Sequence, residues 1–454
     1  MKRSRPEGGR GWLLARRTGG RSSSQRARPG TALPARADVL IIGGGIIGLT
    51  AAYELARGGA SVIVLERDRI GRAQSGRNLG FVRQQGRAPA ELPLMMVAAR
   101  RWPQLSTELE FDVEWRQGGN LRLTNDPEKA SRYEKWLTVA QEHGLDTRQV
   151  TDEEIKELVP GIQGPWLFGI LTASDGHADP EATCGAFEAA VRRLGVRLVE
   201  GCEVIGLTVA GGQVTGAATA AGEVAAPVVV LAAGAGSSAL ARRVGLAVPQ
   251  RSVRVTVVRT GPVAPLTDVV AWTGELFLRQ DVHGRLWLAG ESRNQVELAL
   301  GNLGDIAPFV RTYLANRAEL RLPTSWRDLA RAAGRPFSEA GGDRLVPGAD
   351  PADILYCIER ARHDSPRAGD IHLERAWAGE IEATPDSLPI IDAPAAPRGL
   401  VLATGMSGHG FGISPVIGEI IARTVEGKEP GFDLRPFRLQ RFHDGSSLEP
   451  THLL

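Results

Sequence analysis

The stretch Asp38-Val39-Leu40-Ile41-Ile42-Gly43-Gly44-Gly45-Ile46-Ile47-Gly48-Leu49-Thr50-Ala51-Ala52-Tyr53-Glu54-Leu55-Ala56 passes from a short β-branched run through a glycine cluster into a helix-forming segment. That order predicts a strand, a tight turn and a helix. Gly43, Gly45 and Gly48 fill the G-x-G-x-x-G template. The first glycine allows the turn, the second lets a pyrophosphate approach the backbone, and the third lets helix and strand pack closely. The phosphate charge then sits on the helix N-terminus, where Ile46 and Ile47 begin the helix. A second apolar run, Ser61-Val62-Ile63-Val64-Leu65-Glu66, comes after Gly58-Gly59, and Glu66 lies 23 residues past Gly43. An acid there grips the ribose hydroxyls of an adenosine. Strand, helix and acid in this order point to a dinucleotide and leave NAD(P) and FAD both open.

The segment after Glu66 separates the two. Residues Arg67 to Gly86 are rich in glycine, serine and arginine. An NAD enzyme would place a strand-linking helix there, whereas a flavin protein runs an extended segment along the pyrophosphate and the ring. Near the other end, Gly399-Leu400-Val401-Leu402-Ala403-Thr404-Gly405 leads through Met406-Ser407-Gly408-His409-Gly410-Phe411-Gly412-Ile413 to Ser414-Pro415 and a helix with Ile417, Ile420 and Ile421. Ser414 and Pro415 are expected as cap and first position. Two anion-friendly helix ends, about 360 residues apart, exceed what a nicotinamide nucleotide needs. One can hold the pyrophosphate. The other can face the pyrimidine edge of an isoalloxazine, which becomes negative on reduction.

At 454 residues the chain can bury two sizeable cores, and 43% hydrophobic with 23% charged residues is ordinary globular composition. Residues 1–36 carry ten of the 54 basic residues but only Glu7 of the 52 acids, so the remainder is net negative. That excludes a general nucleic-acid surface. The arm is expected to be disordered, and it has no apolar run of secretory type. It is expected to be a transit-like segment or to lie upstream of the true translation start. No run is long enough to span a membrane. Cys184, Cys202 and Cys357 are scattered without a C-x-x-C, which argues against a zinc or iron-sulfur site and fits a reducing cytoplasm.

The expected architecture is α/β, a Rossmann-like dinucleotide-binding domain interleaved with an antiparallel-sheet α+β domain. The first domain takes residues 37–100, 166–250 and 376–431, the second takes 101–165 and 251–375, and 432–454 is a tail. Residues 91–104, 128–143 and 303–332 are expected to be helical. Phe111–Trp115 and Asn120–Leu123 read as two strands joined through Gly118-Gly119. Thr151 with Glu154 forms a capping box, and Asp179-Pro180 caps a further helix. The run Pro227–Leu231 reads as a buried strand ending in the small residues Ala232, Ala233 and Gly234, which let a ligand approach the sheet.

These motifs resemble the D-amino acid oxidase superfamily of FAD-dependent oxidoreductases. The matches are Ile41–Gly48 with Glu66-Arg67, Ser75-Gly76-Arg77-Asn78, Ala178-Asp179-Pro180, Val229–Gly234, Thr384-Pro385-Asp386 and Gly408-His409-Gly410-Phe411-Gly412, in the family's order. Within it, Ser75–Arg83 and Trp377–Ile391 look most like the sarcosine oxidase β-subunit and related amine dehydrogenases. The resemblance implies that these motif residues, together with Val204 and Gly379, hold FAD. It also implies a flavin-roofing sheet and oxidation of a secondary amine or N-substituted amino acid (sarcosine-, opine- or proline-like). Arg83 matches an arginine that binds the substrate carboxylate, and Arg279 is a weaker candidate for the same task. Where members acting on free amino acids carry an arginine, two residues after Gly379, this chain has Ile381. Gly379 stands near the place of a flavin-linking cysteine, so non-covalent FAD is expected. Oxygen-using members place a lysine over the ring. None of Lys2, Lys129, Lys135, Lys156 and Lys428 falls in the 251–375 sheet, so electrons are expected to pass to a quinone, an electron-transfer protein or a partner subunit, with O2 as the alternative acceptor. His409 is expected near the flavin as a turn residue and His177 as structural. A 2-hydroxy acid dehydrogenase and an electron-transfer subunit are the alternatives.

Overall fold

A computed structural model describes residues 33–291, 293–296, 307–315, 317, 320–321, 348–446 and 448. The elements that build and brace the cavity are, in chain order, β1 (Val39–Ile42), α1 (Ile46–Arg57), β2 (Val62–Leu65), α2 (Leu92–Arg101), β3 (Asn120–Thr124), β4 (Phe168–Thr172), α3 (Pro180–Arg193), β5 (Arg197–Val199) and β6 (Val228–Leu231). They continue with β7 (Arg251–Pro262), β8 (Val270–Trp272), β9 (Leu276–Gln280), β10 (Arg285–Gly290), β11 (Leu373–Ala383), β12 (Ile390–Asp392), β13 (Leu400–Thr404) and α4 (Gly410–Val425).

The apolar runs around the first glycine motif need burial on both faces, and a parallel sheet supplies it. The strand order is β12-β13-β6-β1-β2-β5, all parallel except β12. Val39, Ile41, Val62 and Val64 point into a core shared with α1, α2, α3 and α4. Leu40, Ile42, Ile63 and Leu65 point the other way, onto Val214, Ala217 and Val224. Those three residues belong to a three-stranded antiparallel sheet built from 204–225. The result is a helix–sheet–sheet sandwich with the glycine turn at the carboxyl end of β1.

The second sheet is mixed. β7 pairs with β10 and, over its length, with β11; β10 continues through β9 to β8, which runs parallel to β3, and β3 is antiparallel to β4. β4 and β11 both belong to this ladder, so the chain leaves the parallel sheet until Thr172 and later until Ala383, beyond the expected limits of 165 and 375. The expected strand at Phe111–Trp115 is absent. Glu110 and Glu114 have φ of 52° and 55°, which breaks an extended run, and β3 takes its neighbours from 168–172 and 270–272. Of the helix expected over 303–332, only Val310–Ala315 is α-helical among the described residues; Leu320–Arg321 is a short strand, and Trp326 lies outside them.

Local signals are matched at the Thr151–Glu154 capping box and at Asp179, whose side chain accepts from Ala182 N. The last helix starts earlier than its serine and proline suggest. It begins at Gly410, and Pro415 lies inside it. Proline has no N–H for the Phe411 carbonyl, and the Ser414 hydroxyl donates to that carbonyl instead, at 2.9 Å. Among the described residues no helix is long and apolar enough to cross a membrane.

α1 and α4 approach closely where Gly418 meets Thr50. A Cβ at Gly418 would stand 2.6 Å from the Thr50 carbonyl carbon and oxygen. Gly418→Ala must therefore spread the two helices, and we expect it to lower stability by about 1–3 kcal/mol in denaturant titration. An unchanged midpoint would show that the crossing has slack.

Candidate active site

A cavity of about 480 Å³ runs from the first glycine turn to the start of α4. At its amino-terminal end the backbone geometry admits only glycine. Gly43 has φ +107°, and a Cβ there would lie 2.3 Å from the Ala232 carbonyl oxygen. A Cβ at Gly48 would lie 2.0 Å from the Gly43 oxygen, so this glycine serves helix–strand packing and does not line the cavity. Gly45, Ile46 and Ile47 do line it. One N–H of the α1 start is already used, because Ile46 N donates to Ser75 Oγ at 2.8 Å. Glu66 and Arg67 form the next part of the wall. The Glu66 carboxylate accepts from Gly44 N at 2.8 Å and from Asp68 N at 2.9 Å, while burial pushes its pKa up against those bonds.

The segment after Glu66 runs along the cavity as expected. Ser75, Arg77 and Asn78 line it, and Asn78 braces the turn by donating to Ser75 O and accepting from Gly80 N. Gly76 is buried behind them, its missing Cβ making room for the Gly71 carbonyl. Val204, Ala233 and Gly234 contribute from the three-stranded sheet and from the end of β6, and Gly379, Gly408, Gly410 and Phe411 close the far end. The glycine cradles and the open wall between them fit an extended dinucleotide.

Two predicted residues stand elsewhere. Arg279 on β9 is fully buried against Trp287, its Nε bonded to Leu79 O and its Nη1 3.3 Å from His177 Nδ1, and it does not line the cavity. Arg279 shares the face of Phe277, two residues along β9, but Leu79 and His177 engage it there and it does not reach the chamber. Burial lowers its pKa to about 10. His409 also stands off the cavity. Its Nδ1 lies 2.8 Å from a Glu91 carboxylate oxygen, so Nδ1 carries the proton and Nε2 is left without a partner. Burial and Arg87 hold this imidazole down at about 4, while His409 and Arg87 hold Glu91 below its ordinary value in spite of its own burial.

Arg83 does line the chamber. It is 4% exposed, donates from Nη1 to Gln85 O at 2.7 Å, and stands 4.8 Å from the centroid of the Trp272 indole. Arg87 is buried beside it, bonded through Nε to Arg83 O. Burial, with Arg87 and Arg122 adding like charge, lowers the Arg83 pKa well below its usual range. Asp175, beneath them, accepts from Gln84 N and Gln85 N, and burial raises it to about 6. The roof is Val255 and Val257 on β7 with Trp272 and Phe277.

Sequence reading missed Trp272, Phe277 and Arg87, and it missed Glu382. Trp272 and Phe277 sit on strands with no motif, while Arg87 and Glu382 lie beside or within quoted stretches but carry no signal of their own. Glu382 is 5% exposed, lines the cavity between Gly234 and Met406, and has no partner for Oε2. Burial, with Glu380 adding like charge, raises its pKa to about 8.

Residues 38–424 match the family described as DAO, FAD dependent oxidoreductase. The chain is 24% identical to human mitochondrial sarcosine dehydrogenase over 93% of its own length, but it spans only 43% of that protein. It is 25% identical to the sarcosine oxidase subunit beta of Rhizobium meliloti (strain 1021), covering 90% of this chain and 89% of the relative. The fold superposes on L-amino acid deaminase from Proteus vulgaris with a TM-score of 0.83, at 23% identity, covering 91% of this chain and 99% of the deaminase. With the family match spanning both glycine turns and the mixed sheet between them, the chain belongs to the DAO family of FAD-dependent oxidoreductases.

Proposed function

We propose that this protein oxidises the carbon–nitrogen bond of a secondary amine or N-substituted amino acid, with the substrate carboxylate held by Arg83. The observation that carries the reading is a buried guanidinium at the cavity wall, without an ion-pair partner among the described residues, beneath an aromatic roof. A buried unpaired cation costs several kcal/mol, and an anionic ligand offsets that cost. The relatives named for sarcosine oxidation supply the amine half of the proposal.

When bound, FAD accepts the two electrons and the hydrogen that leave the substrate carbon; water then splits the resulting imine into amine and carbonyl. The chain's own residues orient and tune. Arg83 fixes the carboxylate end. Val255, Val257, Trp272 and Phe277 exclude water from the reacting carbon. The start of α4 at Gly410–Phe411 turns its first N–H groups and positive dipole to the side where negative charge would develop. Loss of hydrogen with its electron pair requires no base at the carbon. A 2-hydroxy acid would need one for its hydroxyl, and among the described residues no histidine lines the cavity. His177 and His409 are buried off the cavity, and His283 is exposed beside Glu114. Among the described residues no lysine lines the chamber, and Lys129 is tied to Glu291 at 2.6 Å, which supports an electron acceptor other than oxygen.

Anaerobic mixing with sarcosine, proline and N-carboxyalkyl amino acids is expected to bleach the flavin, and 2-hydroxy acids are expected to leave it yellow. Arg83→Met should raise KM by about 30-fold or more with a smaller change in kcat. Bleaching by hydroxy acids alone would overturn the proposal.

FAD should be released in full on denaturation, since Gly379 offers no linking side chain. Its affinity should also depend on pH. An ionised Glu382 would repel the pyrophosphate dianion, so the neutral acid is the form that binds. The affinity is then complete below pH 8 and falls about tenfold per unit above it. Glu382→Gln should remove that fall in flavin-fluorescence titrations. A wild-type affinity that stays level or rises with pH would show that the carboxylate form binds.

A further inference from the structure

Beside Arg83 stands a second guanidinium that neither the motifs nor the proposed reaction uses. Arg122 lies on β3, on the opposite face from Leu121 and Leu123, which are buried in their own cluster. The β3–β8 register sets it against Trp272. Its guanidinium carbon is 4.2 Å from the centroid of the indole that also carries Arg83. Both Nη1 atoms converge on Gly86, where a Cβ would be 3.2 Å from that of Arg83 and 3.3 Å from that of Arg122. Gly86 leaves the space between them open.

Arg122 is 8% exposed, and among the described residues it has neither a hydrogen bond nor an ion pair; Nε and Nη2 are sealed from solvent without partners. The neighbouring acids do not supply one. Glu91 is engaged by His409, and Asp175 accepts from Gln84 and Gln85. Arg87 has its own unpartnered Nη1. Three buried guanidiniums thus face two carboxylates, one of which burial drives toward neutrality. A stacked indole is a weak substitute for an anion, so the surplus is a site waiting for negative charge.

We infer that Arg122 binds a second carboxylate of the substrate, and that the preferred substrates are secondary-amine dicarboxylates. The inference rests on Arg83 holding the first carboxylate. Arg122 does not itself line the cavity; it stands beside Arg83 on the same indole, next to the space at Gly86, so the second carboxylate belongs at the end of the substrate remote from the oxidised bond. Arg122 is therefore a specificity residue and takes no part in the electron transfer.

The test compares the flavin-loaded wild type with Arg122→Met and Arg122→Lys on four probes. Sarcosine and proline carry one carboxylate; iminodiacetate carries the second on the nitrogen substituent, and N-methylaspartate carries it on the side chain. The wild type should favour one or both dicarboxylates in kcat/KM. Arg122→Met should lower that value about 30-fold or more, mainly through KM, against a loss of a few-fold at most for the monocarboxylates, with Arg122→Lys between. Whichever dicarboxylate responds shows where the second group sits. An equal loss on all four probes, or a wild type that prefers the monocarboxylates, overturns the inference and leaves the proposed amine oxidation standing. Failure of every amine to bleach the flavin removes both. If the variants do not fold, malonate and succinate should still perturb the wild-type flavin spectrum at lower concentration than acetate and propionate, and equal potency would count against a second seat.

Discussion

The turn after β1 passes so close to β6 that the Ala232 carbonyl occupies the place a side chain would take at Gly43, and the Gly43 carbonyl in turn occupies that place at Gly48. This chain of backbone contacts fixes the start of α1 over the end of the parallel sheet. The rest of the cofactor wall is built out from there. β2 delivers Glu66 to Gly44 N, the next segment delivers Ser75 to Ile46 N, and α4 crosses α1 at Gly418 with backbone against backbone. A methyl group at any of these glycines would separate elements that hold the cavity in common.

The chamber's second governing term is charge. Arg83, Arg87 and Arg122 are all buried in a region whose acids are occupied elsewhere. The opposite wall carries Glu380 and Glu382. A cavity with cations at one end and the largely neutral acid Glu382 on the other side has a built-in polarity, and it orients a ligand that is anionic at one end and apolar or weakly basic at the reacting atom.

How much of this the sequence disclosed depends on where the signals lie. The two strand–glycine–helix units are local. Their spacing shows in about fifteen residues each, so the parallel sheet, Glu66 and the Gly408–Phe411 turn were all readable. Asp179 and Thr151 were readable for the same reason, since a cap and its recipient N–H are three residues apart. The mixed sheet was less so. Trp272 meets Arg122 through a parallel register between strands about 150 residues apart, which no period in either segment announces. Arg279 reads as a site residue because alternation in β9 does give it the face of Phe277, without showing that Leu79 and His177 engage it there. Glu382 lay next to a recognised motif but carried no motif of its own, and its lack of a partner is a property of packing. Pro415 misled because proline most often starts a helix, and the compensating Ser414 hydroxyl becomes visible only in three dimensions.

One strand, Leu373–Ala383, is hydrogen bonded along its length to Arg251–Pro262 and also presents Gly379, Glu380 and Glu382 to the cofactor wall. Roof and wall are thus neighbouring strands of one sheet, and a load on either is carried to the other through the hydrogen bonds of the ladder. Adaptation to different ligands then falls to the buried side chains at the chamber's end, where an indole carries two guanidiniums. A chamber built this way meets a ligand's charge with a wall that the sheet holds stiff.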